Sequence, residues 1–200
     1  QGPVVCAVRP RTSKLSRPAI GRNREQLIAA NIDCVVIVAS VAKPAFSPGL
    51  IDRYLVAAQA GGVDPLVCVN KYDLCDTEPD GVAMYRDLGL AVISTSCRTG
   101  QGLAELRALL SAKTGVLAGH SGVGKSSLVN ALDPEMTIHT QEISESTKKG
   151  RHTTSASRLY ELAGDIRIID TPGVKQLGLW GVSQAELNYY FSEIADISRQ

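Results

Sequence analysis

Apolar residues along this chain alternate between two spacings. Short β-rich runs stand at residues 34–39, 66–69, 91–94, 116–118 and 166–169, while longer segments of helical period lie at 24–30, 49–60, 81–88, 103–112, 125–131 and 183–197. Residues 158–162 alternate strictly and predict an extra strand, paired with 166–169 through a Gly164-Asp165 turn. Alternation of strand and helix over such lengths predicts an α/β fold with a mainly parallel sheet flanked by helices on both faces. Two stretches differ in texture. Residues 4–8 read as an apolar strand and lead into a run rich in Arg, Lys, Ser and Pro that reads as a connector to residue 21. Residues 137–155 carry few apolar side chains and predict a mobile loop.

Composition narrows the class without deciding it. Two hundred residues with 44% hydrophobic and 20% charged content suffice for one good-sized core. The longest apolar run is too short for a bilayer and the N-terminus lacks a signal-peptide pattern, so a soluble protein is expected, with no membrane partner. Five cysteines form no C-x-x-C pair and read as free thiols in a reducing compartment. A net charge of +1 excludes a global electrostatic footprint for nucleic acid and leaves only local patches.

The first chemical motif follows the strand at 116–118. Gly119-His120-Ser121-Gly122-Val123-Gly124-Lys125-Ser126, continued by Ser127, matches G-x-x-x-x-G-K-[ST] and opens the helix at 125. Its glycines let backbone N–H groups curl around phosphate oxygens, Lys125 reaches the β and γ phosphates, and Ser126 offers a hydroxyl to Mg²⁺. The alternating strand at 166–169 then ends in Asp170-Thr171-Pro172-Gly173, a D-x-x-G that places Asp170 beside Mg²⁺ and the Gly173 N–H toward the γ phosphate.

The base motif lies earlier. Residues 66–69 run into Asn70-Lys71-Tyr72-Asp73, similar to the N-K-x-D of GTPases. A carboxylate at Asp73 accepts from the N1–H and 2-amino groups of guanine, a donor pair that adenine lacks. Lys71 has an alkyl stem to lay over the ring, and Asn70 an amide to tie the base loop to the phosphate loop. Ser96-Cys97-Arg98, within 95–103, resembles the T-S-A-K segment of Ras-type GTPases, whose backbone N–H groups contact guanine O6.

In Ras-type proteins the phosphate loop comes first; here the guanine motifs precede it, so the predicted fold is a circularly permuted, Ras-like P-loop NTPase. With these motifs in this order, the chain resembles the circularly permuted GTPases that depend on the small ribosomal subunit, the RsgA or YjeQ family. Further phrases carry the likeness: Ala29-Ala30-Asn31-Ile32-Asp33, Ile51-Asp52-Arg53-Tyr54-Leu55, Gly150-Arg151-His152-Thr153-Thr154 and Gly178-Leu179-Trp180. The resemblance implies a Mg²⁺-dependent GTP hydrolase that cycles between GTP and GDP. It also implies a late assembly role on the small ribosomal subunit and its rRNA, as a monomer in a bacterial cytoplasm or an organelle. It divides the chain into 1–22, a remnant of an N-terminal OB-fold with a basic connector, 23–178, the GTPase domain, and 179–200, a helical extension. Zinc is expected only in a family C-terminal module that the sequence does not include, which reads as either a fragment or a reduced relative.

Hydrolysis is the least determined function. Val174 stands where Ras-type enzymes place a water-orienting Gln, and valine cannot hydrogen-bond water. His152, beside Thr153 and Thr154 in the expected first switch loop, is the nearest polar candidate and reads equally as a solvated loop histidine; Lys125 is the other catalytic candidate. Either Thr153 or Thr154 completes the Mg²⁺ shell with Ser126 and Asp170. Two basic clusters, Arg9, Arg11, Lys14, Arg17, Arg22 and Arg24, then Lys148, Lys149 and Arg151, are RNA-contact candidates or solvated surface. A GTP- or GDP-sensing module with little turnover is the alternative to an enzyme, and an ATPase would leave Asp73 a bystander.

Overall fold

A computed structural model describes residues 6–8, 10–19, 23–135, 158–170, 179–183 and 186–190. Six strands form one sheet: β3 (Cys34–Ser40), β4 (Asp64–Asn70), β5 (Ala91–Ser94), β6 (Thr114–Ala118), β7 (Arg158–Leu162) and β8 (Ile166–Asp170). Their order is β5-β4-β3-β6-β8-β7. All neighbours run parallel except the edge pair β7 and β8, which is antiparallel. That hairpin turns at Gly164 and Asp165, both at positive φ (83° and 56°), as the sequence pattern predicts.

The strand β3 shows why residues 34–39 are uninterrupted Val, Ile, Ala and Cys, with Ser40 at the end. All seven of its positions are buried. Val35, Ile37 and Ala39 pack with Ile51, Tyr54, Ala57 and Ala58 of α1 (Pro48–Ala60) and with Val82 and Tyr85 of α2 (Val82–Asp87). Cys34, Val36 and Val38 pack on the other face with Leu106 and Leu110 of α3 (Leu103–Leu110) and with Leu128, Val129 and Leu132 of α4 (Lys125–Leu132). The two-residue period of a strand thus divides one run between two cores, each covered by helices. A further short helix, α5 (Leu187–Tyr190), is what the described residues show of the helix predicted over 183–197.

Two sequence expectations are corrected at the N-terminal end. Residues 24–30 are not a helix, and the segment before them is not simply a connector. Lys14–Pro18 forms β1 and Glu25–Ala30 forms β2, an antiparallel ribbon separate from the main sheet. Glu, Gln, Leu and Ala favour a helix intrinsically, but tertiary pairing overrides so weak a preference. Leu15 and Ala29 are register partners and both enter the core against α1. The Lys14 N–H donates to the Gly61 carbonyl at 3.0 Å, and Ser13 exchanges hydrogen bonds with the Ile32 backbone at 2.6 and 2.9 Å. Of the strand expected at 4–8, residues 6–8 are described and are exposed and in no strand, while the loop expected at 137–155 lies outside the described residues.

All five cysteines are free thiols, as expected. Cys34 and Cys68 are buried, Cys75 and Cys97 partly so, while Cys6 is exposed. Burial pushes the Cys34 thiol up to about 11 and the Cys68 thiol up to about 12, which keeps both protonated. Among the described residues no helix is long and apolar enough to cross a membrane.

Candidate nucleotide-binding site

Chain order creates the site. Strands β3, β4 and β5 step outward on one side, and β6 then returns to the other side of β3. The boundary between β3 and β6 is therefore a topological switch point, where sheets of this kind form their binding crevice beyond the carboxyl ends of the strands. The loops that leave those ends carry the sequence motifs: Ser40 from β3, Asn70 from β4, Ser94 from β5, Ala118 from β6 and Asp170 from β8.

The phosphate loop leaves β6 at Gly119 and enters α4 at Lys125. Gly119 sits at φ 142°, where a Cβ would stand 2.2 Å from the Val38 carbonyl oxygen. Gly124 sits at φ 99°, where a Cβ would stand 2.3 Å from the Asn70 amide nitrogen. Only glycine fits these positions, because both the left-handed backbone and the close neighbours exclude a side chain. Val123 is buried and anchors the loop, whereas His120, Ser121 and Gly122 are exposed along its rim. The Lys125 ammonium folds over the loop and donates to the Gly119 carbonyl at 2.9 Å and to the His120 carbonyl at 2.8 Å. Ser126 is buried behind it and Ser127 half-buried. A glycine cradle under a lysine at a helix N-terminus suits a polyanion such as a phosphate chain.

Asp170 ends β8, one residue beyond the Val116–Ile169 pair, at the same end of the sheet from which the phosphate loop leaves β6. Ser126 and Asp170 carry the hydroxyl and carboxylate oxygens that Mg²⁺ takes and are the candidates to hold it, with phosphate oxygens and water filling the remaining positions. Gly173, His152, Thr153 and Thr154 lie outside the described residues, as do Val174, Lys148, Lys149, Arg151, Arg9 and Arg22.

The base side is built from side chains. Asn70 is 2% exposed and spans three loops: its amide donates to the Val123 carbonyl at 2.9 Å and its oxygen accepts from the Thr95 hydroxyl at 3.1 Å. One residue of the N-K-x-D motif thereby locks the base loop onto the phosphate loop. Lys71 adopts φ 62°, and its ammonium donates to the Lys43 carbonyl. Residues Tyr72–Leu74 form a single 3₁₀ turn. The Tyr72 N–H donates to the Thr95 carbonyl at 3.0 Å, which seats the turn against the segment after β5.

Asp73 faces that segment. Its Oδ1 accepts the Ser96 hydroxyl at 2.5 Å, and its Oδ2 accepts Arg98 Nε–H at 2.7 Å. The Ser96 hydrogen bond and then the Arg98 hydrogen bond and charge hold the carboxyl below its ordinary range, so it is ionised at neutral pH. Cys97 lies between, its thiol directed at the Asn70 oxygen at 3.7 Å and raised chiefly by burial.

Several residues that support these loops were not singled out as site residues by sequence. Glu78 accepts the Tyr72 hydroxyl at 3.1 Å and is gripped by Arg86 through two bonds of 2.6 and 2.8 Å, which braces the base turn from outside. Tyr54, fully buried on α1, accepts the Gly119 N–H on its hydroxyl and so supports the first residue of the phosphate loop from behind. Burial pushes the Tyr54 phenol up to about 12. Asp52, its neighbour in Ile51-Asp52-Arg53-Tyr54-Leu55, accepts the Tyr85 hydroxyl at 2.7 Å and pins α2 to α1. The only local signal for either role was that phrase itself.

Comparison with known proteins places this architecture. The family model described as RsgA GTPase matches residues 8–180. The chain is 45% identical over 195 residues to the small ribosomal subunit biogenesis GTPase RsgA 1 of Vibrio vulnificus, covering 95% of the chain and 55% of that protein. Over 198 residues it is 41% identical to the corresponding GTPase of Shewanella oneidensis, covering 96% of the chain and 55% of that protein. The chain thus spans about half the length of the curated relatives it matches. Among solved structures it is similar to YjeQ from Thermotoga maritima, with a TM-score of 0.71 and 31% identity over 95% of this chain and 62% of that one. It is also similar to YloQ, a circularly permuted GTPase, with a TM-score of 0.66 and 32% identity over 96% of this chain and 59% of that one. The fold is accordingly an α/β P-loop fold in circularly permuted order, as the order of motifs predicts.

Proposed function

The chain belongs to the RsgA GTPase family, and from that premise we propose that it binds GTP and GDP with Mg²⁺, hydrolyses GTP, and acts in late maturation of the small ribosomal subunit. The observation that carries the nucleotide reading is Asn70, whose amide joins the guanine motif to the phosphate loop across one crevice. A single ligand carrying both a base and a phosphate chain suits a site so coupled. In this reading the backbone of Gly119, His120, Ser121, Gly122, Val123 and Gly124, with Ser127, surrounds the phosphates. Lys125 leaves its loop carbonyls in part to meet the β and γ phosphates. Asp73 takes the guanine edge, Asn70, Lys71 and Tyr72 frame it, and Ser96, Cys97 and Arg98 close the far side.

Ser126 and Asp170 hold Mg²⁺, joined in the GTP state by Thr153 or Thr154; the metal neutralises charge that develops on the phosphates. Gly173 senses the γ phosphate through its N–H. Because Val174 offers no hydrogen bond to water, His152 is the proposed water-orienting residue, delivered when a partner orders its loop. Slow intrinsic turnover and strong stimulation follow from that arrangement. Residues 23–178 constitute the GTPase domain and 179–200 a helical extension in this proposal, and the family match through residue 180 supports the first of these. The names of the relatives support a small-subunit partner, their bacterial organisms support the bacterial cytoplasmic setting we propose, and the exposed Arg11 and Arg24 beside the ribbon suit contact with rRNA phosphates.

Val174 also favours one alternative, a module that senses GTP or GDP with little turnover. Single-turnover GTP hydrolysis with Mg²⁺, alone and with purified small ribosomal subunits, separates the two, with Lys125→Ala as the blank. Lys125-dependent stimulation by subunits supports the enzyme, whereas tight nucleotide binding with no hydrolysis under either condition supports the sensor.

A further inference from the structure

We infer, resting on the guanine-nucleotide reading above, that Arg98 is a positioning residue for base recognition: together with Ser96 it sets the Asp73 carboxylate so that each oxygen keeps one lone pair for the base.

A carboxylate offers about four lone-pair sites, roughly two on each oxygen. Ser96 occupies one site on Oδ1 and Arg98 occupies one on Oδ2. The two protein donors are therefore divided between the oxygens, and one acceptor site remains on each. Guanine supplies a matching pair, N1–H for one oxygen and the 2-amino group for the other. Protein and base donors together saturate the carboxylate without displacing either side chain.

Ser96 alone does not achieve this. It is itself fixed, being fully buried and accepting the Thr99 N–H at 3.2 Å on the same hydroxyl. A carboxylate anchored through one oxygen still pivots about that anchor, however, and its second oxygen then meets the 2-amino group only part of the time. The bond from Arg98 to Oδ2 removes the pivot. Among the described residues Arg98 is the one cation in ion-pair contact with Asp73. The neighbouring thiols of Cys75 and Cys97 are both raised by burial first and by the Asp73 charge among lesser causes, so they stay neutral and do not compete for the role.

Arg98 also holds the carboxylate without plugging the site. It uses Nε alone in this contact, and its side chain is 74% exposed while that of Asp73 is 9% exposed. A single Nε donor takes one acceptor site on Oδ2 and leaves the other for the base.

The test is the affinity of the whole chain, with Mg²⁺, for GDP and for inosine diphosphate, which keeps N1–H and lacks the 2-amino group. Arg98→Ala should weaken GDP binding about fivefold, the upper end for one exposed ion pair, while binding of inosine diphosphate changes less than about twofold by the same measure. Arg98→Lys should recover part of the loss, since an ammonium restores charge but not the directed Nε donor. Equal losses for both nucleotides would overturn the positioning role, because a merely structural effect does not read the 2-amino group. Unchanged or tighter GDP binding in Arg98→Ala would overturn it as well. A wild-type chain that fails to bind GDP at all would overturn the guanine reading itself, and this role with it.

Discussion

The two halves of the crevice are built from different materials. On the side we propose for the phosphates, at residues 119–126, the surface is backbone: glycines at φ 142° and 99° shape the loop, and Lys125 covers it. On the base side the surface is side chain: Asn70, Asp73, Thr95, Ser96 and Arg98 bond one another, and Tyr72, Glu78 and Arg86 brace them from outside. The difference matches what each half has to distinguish. A phosphate chain is the same in every nucleotide, so a field of N–H donors suffices. A base is told from another by its pattern of donors and acceptors, which only directed side chains can oppose. Substitutions on the base side should change which nucleotide binds, and substitutions on the phosphate side should change how well any nucleotide is held or cleaved.

The largest effect should come from Asp73→Asn. An amide there meets the guanine donors with a donor of its own, and GDP affinity should fall by roughly 10⁴-fold, as for other sites left with an unpaired polar group. Xanthosine diphosphate, which presents a carbonyl at the 2-position, should gain; competition binding with both nucleotides checks the reversal. Lys125→Ala should lower single-turnover GTP hydrolysis by about 10²–10³-fold, as loss of one electrostatic contact to the reacting group does elsewhere, with no change in the ratio of guanine to xanthine nucleotides. Asn70→Ala tests the seam between the halves. It leaves the buried Val123 carbonyl and Thr95 hydroxyl without this partner, so chemical denaturation should show a loss of about 1–3 kcal/mol. Affinity should fall for every nucleotide at once. Tyr54→Phe keeps the packed ring and removes the acceptor for the Gly119 N–H; a cost of about 1 kcal/mol is expected for one such bond, read as a lower thermal midpoint with base preference intact.

The same contrast explains what was legible in the sequence. The phosphate loop is contiguous, and each glycine has a local backbone reason to be where it is, so residues 119–126 could be read directly. Strands buried on both faces were equally plain, since β3 is apolar at nearly every position. The base side was legible only at its contiguous pieces, 70–73 and 96–98. Glu78 and Arg86 act through bonds made in the tertiary fold, and Tyr54 reaches Gly119 across the interface between α1 and the sheet. No local spacing announces such contacts. The misreading of residues 24–30 has a related cause: helix-favouring side chains there are held as a strand by β1, whose own sequence looks like a connector, and only the burial of Leu15 against α1 accounts for both.

The most direct test of a crevice that joins a guanine-reading half to a phosphate-holding half is the affinity of the wild-type chain for GDP and for ADP in the presence of Mg²⁺. GDP should bind tightly and ADP with an affinity lower by roughly 10³-fold or more, since adenine cannot supply the donor pair that Asp73 requires. Comparable affinities for the two would show that Asp73 and its partners do not read the base.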